Sequence, residues 1–380
     1  MIGAVQNPEL GYYQVGEVKH VGKISALIDG TARNIHPQWH FNDKVFDQFD
    51  WSIEPAESLQ DLYNHRAREI RERYDYVILM YSGGSDSQTV LDAFLKSNLH
   101  IDEVIVSHPA KLENTYTPDA SNYDPLNLLS EWDFTMRPKL DWLVTHYPKI
   151  KITMYDWSDS ILDYKIQDGF VLDRNHNVSA YSEIRNNYYN IDSVKSALDK
   201  YNNVGIVLGI DKPRVCFHDN AYKLYFLDLI TAVFGPQYSA SLRKNKLHVE
   251  FFYWHPDSCK ILAKQVHQLV KFFEMFTGFR NFVTWPIQNP AKRTWYETSI
   301  RAIIYPDLDL NFFQANKFSN MTIGYDELLF KIGQRDRIEG ITKENFIYLK
   351  SVIDPKYFSS DNGVPTLTGF ISKMYPIKFV

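Results

Sequence analysis

A chain of 380 residues with 44% hydrophobic content is long enough to bury a sizeable core, in two or three domains or in one domain with large additions. Its formal net charge of -5 excludes a global basic field for non-specific nucleic-acid binding, though not a local basic patch. With two cysteines, no basic segment leading into an apolar one, and no run of about 18 apolar residues, the chain is expected to be cytoplasmic, without disulfide framework, signal peptide or membrane span.

In chain order, residues 1–55 scatter Gly, Pro and Trp and read as an N-terminal extension of short strands and loops. Pro55-Ala56-Glu57-Ser58-Leu59 opens a helix predicted to reach about Arg73, with Leu59, Leu62, Tyr63 and Ile70 at helical spacing. Tyr74 to Tyr81 is an apolar run of strand length, and apolarity on both faces suits a buried parallel strand. A helical pattern follows from about Ser87, with Val90, Leu91, Phe94 and Leu95 in register. Ile101 to Ser107 is a second strand, which completes a βαβ unit. A helix over Leu126 to Tyr147, a strand over Lys151 to Tyr155, a helix over Ile184 to Tyr201 and a strand over Val204 to Gly209 continue the alternation. The pattern predicts an α/β fold: an open, mostly parallel twisted sheet with helices on both faces, over residues 56–255. Residues 256–380 open with an amphipathic helix from Ser258 to Phe276, with further helices near 324–334 and 342–353. They are expected to form a mostly helical C-terminal part that serves the substrate.

The segment Ser82-Gly83-Gly84-Ser85-Asp86-Ser87 leaves the first core strand at its carboxyl end, the edge where open parallel sheets bind ligands. Consecutive glycines let the backbone turn tightly and approach a ligand closely. Successive N–H groups form an anion-binding nest, and the following helix directs its positive end at the same place. Ser82, Ser85 and Ser87 add hydroxyl donors. No G-x-x-x-x-G-K-[ST] and no G-x-G-x-x-G occurs in the chain.

The pattern S-G-G-x-D-S after a buried strand resembles the signature of the PP-loop ATP pyrophosphatase superfamily, which has an adenine nucleotide alpha hydrolase-like, Rossmann-like fold. The superfamily includes the GMP, NAD and asparagine synthetases, the tRNA lysidine and 2-thiouridine synthetases, and relatives of the sulfonucleotide reductases. The resemblance covers roughly residues 74–215. It implies that Ser82, Gly83, Gly84, Ser85 and Ser87 bind the β,γ-pyrophosphate of ATP and that Asp86 helps hold Mg²⁺. The metal neutralises the leaving pyrophosphate. The resemblance also implies adenine contact at the end of the second strand, Ser107, with His108 beside it. At the end of the fourth strand it places Gly209 near the ribose and α-phosphate, with Asp211 assisting the metal. Lys212 or Arg214 would stabilise charge on the phosphates. Gly209-Ile210-Asp211-Lys212-Pro213-Arg214 departs from the Gly-His-x-x-Asp-Asp pattern of lysidine-type members, which leaves a surface turn with solvated charges as the alternative.

Other polar residues read as structural. Arg185 and Lys195 fit a solvated helix face. His36 and His40 flank Pro37, which opposes a helical metal pair. Cys259 and His267 fit core packing. With no C-x-x-C and no cysteine after Cys259, a thiolating enzyme with an iron–sulfur cluster is disfavoured, and so is a sulfonucleotide reductase. The expected activity is ATP-dependent adenylation of a carboxylate or carbonyl, followed by attack of an amine, ammonia or a similar nucleophile. A PAPS reductase-like or sulfurtransferase enzyme and a non-catalytic adenine-nucleotide module stand as alternatives. The expected partners are ATP, Mg²⁺ and an acceptor, either a small molecule or a nucleobase. A tRNA or DNA base would stack on Tyr and Trp side chains. The sequence leaves the oligomeric state open.

Overall fold

The computed structural model describes residues 11–20, 22–108, 110, 132–156, 158–159, 191–228, 246–275, 277–286, 299–309, 347–361, 364–367 and 369–380. Its centre is a five-stranded, all-parallel sheet. The strands are β4 (Tyr76–Met80), β5 (Glu103–Ser107), β6 (Lys151–Tyr155), β7 (Val204–Leu208) and β10 (Leu247–Phe251), in the order β10-β7-β4-β5-β6. The first four lie where their apolar runs predict them. From β4 the chain steps to β5 and β6 on one side, then returns to β7 and β10 on the other. The direction of winding therefore reverses at β4 and β7, and their carboxyl ends open the crevice where such sheets bind ligands.

Helix α3 (Leu59–Arg73) begins at Ser58, whose hydroxyl accepts the amide of Asp61 and so satisfies one orphan donor of the first turn. It packs against α4 (Ser85–Lys96) and α7 (Cys259–Met275). The apolar stripe of α7, Ile261, Leu262, Val266, Leu269, Val270 and Phe273, is buried as its spacing requires. Helix α5 (Arg137–His146) follows a turn of π-helix at Trp132–Met136, and α6 (Asp192–Lys200) precedes β7. Both fall inside longer predicted helices. Residues 184–190, with Arg185, lie outside the described residues, as does the helix expected near 324–334. A helix at 347–352 overlaps the one expected over 342–353.

The flanks hold structure beyond the expectation. Residues 1–55 were expected to form only strands and loops. Strands β1 (Tyr12–Val15), β2 (Val18–His20) and β3 (Gln38–His40) form an antiparallel sheet, but α1 (Lys23–Arg33) and a short α2 (Asp43–Phe46) lie among them. Beyond β7 the chain runs into β8 (Arg214–His218) and β9 (Ala221–Tyr225), which pair antiparallel. C-terminal β13 (Tyr375–Phe379) adds to β9. The described C-terminal residues thus hold helices α7, α8 (Thr277–Val283), 299–304 and 347–352 together with strands β11 (Phe358–Asp361), β12 (Val364–Leu367) and β13. Among the described residues, no helix is long and apolar enough to cross a membrane.

Candidate functional site

The loop after β4 is held in shape by its own residues. Gly83 adopts φ of +70°, in the left-handed region, and a Cβ there would meet Thr135 Oγ1 at 2.6 Å and Met136 Cγ at 2.7 Å. Both the backbone conformation and the neighbouring π-helical turn therefore require glycine. Gly84 is the extended residue before α4 and supplies no side-chain cap to the first turn. The Ser87 hydroxyl accepts the Ser82 amide at 3.2 Å and donates to the Gly84 carbonyl at 3.1 Å. The Ser82 hydroxyl lies 3.2 Å from that of Ser87 and accepts the Gly84 amide at 3.4 Å. Ser82 and Ser87 thus brace the turn. The Ser85 hydroxyl, on a buried residue, has no hydrogen-bond partner among the described residues.

The tip of β7 completes the other wall. A Cβ on Gly209 would lie 2.9 Å from the Asp86 carbonyl carbon and 2.9 Å from the Ser87 nitrogen. The strand end rests directly on the first peptides of α4, an approach open only to glycine. Tyr253, just past β10, donates its hydroxyl to the Asp86 carbonyl at 3.0 Å.

The charged residues that follow Gly209 face inward, which overturns the surface-turn alternative. Asp211, Lys212 and Arg214 are all buried. Lys212 Nζ donates to both oxygens of the Asp86 carboxylate at 2.8 Å and lies 3.4 Å from Asp211 Oδ1. Arg214 reaches Asp211 Oδ2 at 3.1 Å. One ammonium therefore sits between two carboxylates from two strand ends. The Tyr305 hydroxyl also donates to Asp86. Burial pushes the Asp86 carboxyl up. The Lys212 charge and hydrogen bonds, the Tyr305 hydroxyl and the Arg301 charge outweigh it and hold the group below the usual carboxylate range. Burial pulls Lys212 down, but Asp86 and Asp211 outweigh it and raise its pKa. Burial first, then Asp86, drives the Tyr305 phenol well above its usual value, so it remains a donor. The Asp86 side chain itself is 24% exposed, so the cluster is accessible from one side.

One strand away, Ser107 ends β5, with its hydroxyl buried and without a hydrogen-bond partner. His108 is buried and its ring stacks on Trp132 at 4.5 Å and 11°. The residues predicted for phosphate, ribose and metal thus converge, with Ser107 at the neighbouring position on the same edge. Of those read as structural, the described ones have partners elsewhere or lie on other elements. Lys195 is 53% exposed and pairs with Asp192, and His40 pairs with Asp43 at 2.6 Å. Cys259 and His267 sit on α7. Tyr305, Arg301, Tyr253 and Trp132 are additions that no local pattern signalled. Tyr305 lies 219 residues from Asp86 in sequence. Among the described residues, no group of three or more His, Cys, Asp or Glu side chains is placed to hold a metal by itself. Two clefts, about 770 and about 550 Å³, lie beside α3 and α7 and beside β3; no residue of the loop lines either. No protein-family model matches the chain, and no curated protein matches it.

Proposed function

We propose that the protein is an ATP pyrophosphatase of the PP-loop type, with an adenine nucleotide alpha hydrolase-like core. It binds ATP at the edge formed by β4 and β7 and splits it between the α- and β-phosphates. The observation that carries this is the junction of the two strand ends: a glycine-built anion loop at the head of α4, closed by Gly209 and carrying a carboxylate bridged by a cation. The first-turn amides of α4, which no side chain caps, and the Ser85 hydroxyl suit phosphate oxygens, and the helix dipole favours them. Asp86 and Asp211 converge on one cation, Lys212, which stands where a metal would. One or two carboxylates completed by phosphate oxygens is the ligand set that Mg²⁺ prefers, so the residues fit the ion. When bound, Mg²⁺ would neutralise charge on the departing pyrophosphate.

This chain's own residues then have separate tasks. Asp86 and Asp211 would hold the metal, and the Lys212 ammonium beside them would stabilise charge on the phosphates. Arg214 keeps Asp211 in place and adds positive charge at the cleaved bond. An acceptor carboxylate or carbonyl oxygen attacks the α-phosphorus, pyrophosphate leaves, and an amine, ammonia or similar nucleophile then displaces AMP. The acceptor is a small molecule or a nucleobase. Cys216 and Cys259 favour this reading over a reductase or sulfurtransferase. Both are buried, and burial pushes each thiol up to about 12, far from the accessible thiolate that such chemistry needs.

Product analysis by phosphorus NMR, with ATP, Mg²⁺ and a panel of metabolites and nucleic acids, tests the proposal. AMP with pyrophosphate, dependent on one acceptor, is the expected result. ADP with phosphate would exclude this cleavage. Tight ATP binding without turnover under any acceptor would reduce the protein to a nucleotide-binding module.

A further inference from the structure

Arg301 and Tyr305 stand on successive turns of one helical segment, joined by the bond from the Tyr305 amide to the Arg301 carbonyl at 3.0 Å. Residues spaced in this way share a face. Tyr305 uses that face to reach Asp86. Its backbone neighbour Ile304 is fixed from behind, because the Tyr63 hydroxyl donates to the Ile304 carbonyl at 2.5 Å and accepts from Gln265 at 2.8 Å. Arg301 therefore lies one turn from a side chain in contact with the loop, on a segment that cannot drift.

Its chemistry is unmatched. Arg66, Arg71, Arg73 and Arg214 each hold a carboxylate. Arg301 makes no hydrogen bond from its side chain and no ion pair among the described residues, and its Nε is shut from solvent without an acceptor. The nearby carboxylate, Asp86, is already taken by Lys212 and Tyr305. Lys212 and Arg214 already match the two carboxylates, Asp86 and Asp211, and Arg301 adds a third cation on the helix face from which Tyr305 reaches Asp86. Such an excess at the mouth of an anion loop calls for an anionic ligand, and a planar guanidinium takes two phosphate oxygens at once.

We propose that Arg301 is a phosphate-binding arm of the site, supplied from outside the α/β core and directed at the β,γ-pyrophosphate. It rests on the nucleotide reading above. With Tyr305 on Asp86, it makes the C-terminal part a contributor to the ATP site as well as a substrate platform.

Calorimetric titration of the full chain with inorganic pyrophosphate, α,β-methylene-ATP and AMP, each with Mg²⁺, separates the cases. Arg301→Ala is expected to weaken pyrophosphate and the ATP analogue by about 10- to 100-fold, the worth of a charged hydrogen-bonding group, with AMP changed by less than about twofold. Arg301→Lys, which keeps the charge without the fork, is expected to recover part of the loss. If Arg301→Ala binds pyrophosphate like the wild type, the assignment of Arg301 fails and the nucleotide reading stands. Equal loss of AMP binding with a lowered melting temperature would make Arg301 a structural residue and also overturn the assignment. A wild-type chain that binds none of the three probes overturns both.

Discussion

Two ion clusters in this molecule use the same chemistry to opposite ends. Lys23, on α1, meets Asp228 at 2.9 Å with neither side chain exposed. Asp228 also accepts the Tyr13 hydroxyl at 2.8 Å and the Phe370 amide at 2.9 Å. Both carboxylate oxygens are filled, and the cluster pins the N-terminal helix and the C-terminal chain to the end of the β8–β9 segment. Burial dominates there: it pulls Lys23 below its usual value despite Asp228, and it drives Tyr13 well above. The cluster at Asp86 is instead open on one side, sits on two strand ends, and carries more cations than carboxylates. A closed, saturated cluster fixes the fold. The open, unbalanced one at the sheet edge is the cluster proposed to take a ligand.

The sharpest way to break the comparison is to disable each cluster in turn. Asp86→Asn is expected to reduce AMP and pyrophosphate release by about 10³-fold, since it removes the charge of the proposed metal ligand and leaves its shape. The melting temperature should change by only a few degrees. Product analysis beside thermal unfolding checks both halves. Asp228→Ala should do the reverse. Removing one partner of a buried pair leaves Lys23 uncompensated and costs about 3–5 kcal/mol. Urea unfolding should read that loss, with turnover per folded molecule unchanged.

Much of this architecture is legible in the sequence because its information is local. A parallel strand buried on both faces must be apolar throughout, so β4 and β7 appear as runs, whereas edge strand β6 is only half-buried and carries Lys151 and Thr153. Glycines and serines between a strand and a helix betray the loop. Residues whose roles depend on distant partners carry no such mark. Arg214-Val215-Cys216-Phe217-His218 becomes a strand because β9 and, through it, β13 accept it. Helix α1 hides in a segment rich in glycine and aromatic residues. Asp211 and Lys212 read equally well as solvated charges until β7 is seen to deliver them onto α4. Tyr305 reaches Asp86 from a segment whose Ile304 carbonyl is held by Tyr63, a distant contact that no local pattern marks.

A smaller effect is expected from Gly209→Ala, which tests whether the two walls must touch. The added carbon meets backbone of Asp86 and Ser87, which cannot rotate away. Displacing the loop should weaken ATP binding by about tenfold, the mild end of overpacking costs, with global stability nearly unchanged. Equilibrium titration with the ATP analogue checks it.

The smallest effect is in acid. Burial raises Glu250, but the charges of Arg66 and His255, the Tyr74 hydroxyl and Arg73 outweigh it and hold the group low, as Lys212 does for Asp86. A carboxylate with a depressed folded value contributes stability that is full above the ordinary carboxylate range and is lost as pH falls through that lower value. Urea midpoints should therefore stay level from neutral pH down to that range and fall below it. Glu250→Gln should lower the neutral midpoint and flatten part of the acid fall.

The central claim is that the β4–β7 edge cradles the terminal phosphates of ATP. A crystal structure of the full chain with α,β-methylene-ATP and Mg²⁺ tests it most directly. The expected result is the β,γ-phosphates on the amides of Ser82–Ser87, the metal on Asp86, and Lys212 moved from that carboxylate to a phosphate. A nucleotide bound elsewhere, with the Asp86–Lys212 pair intact and the loop empty, would contradict it.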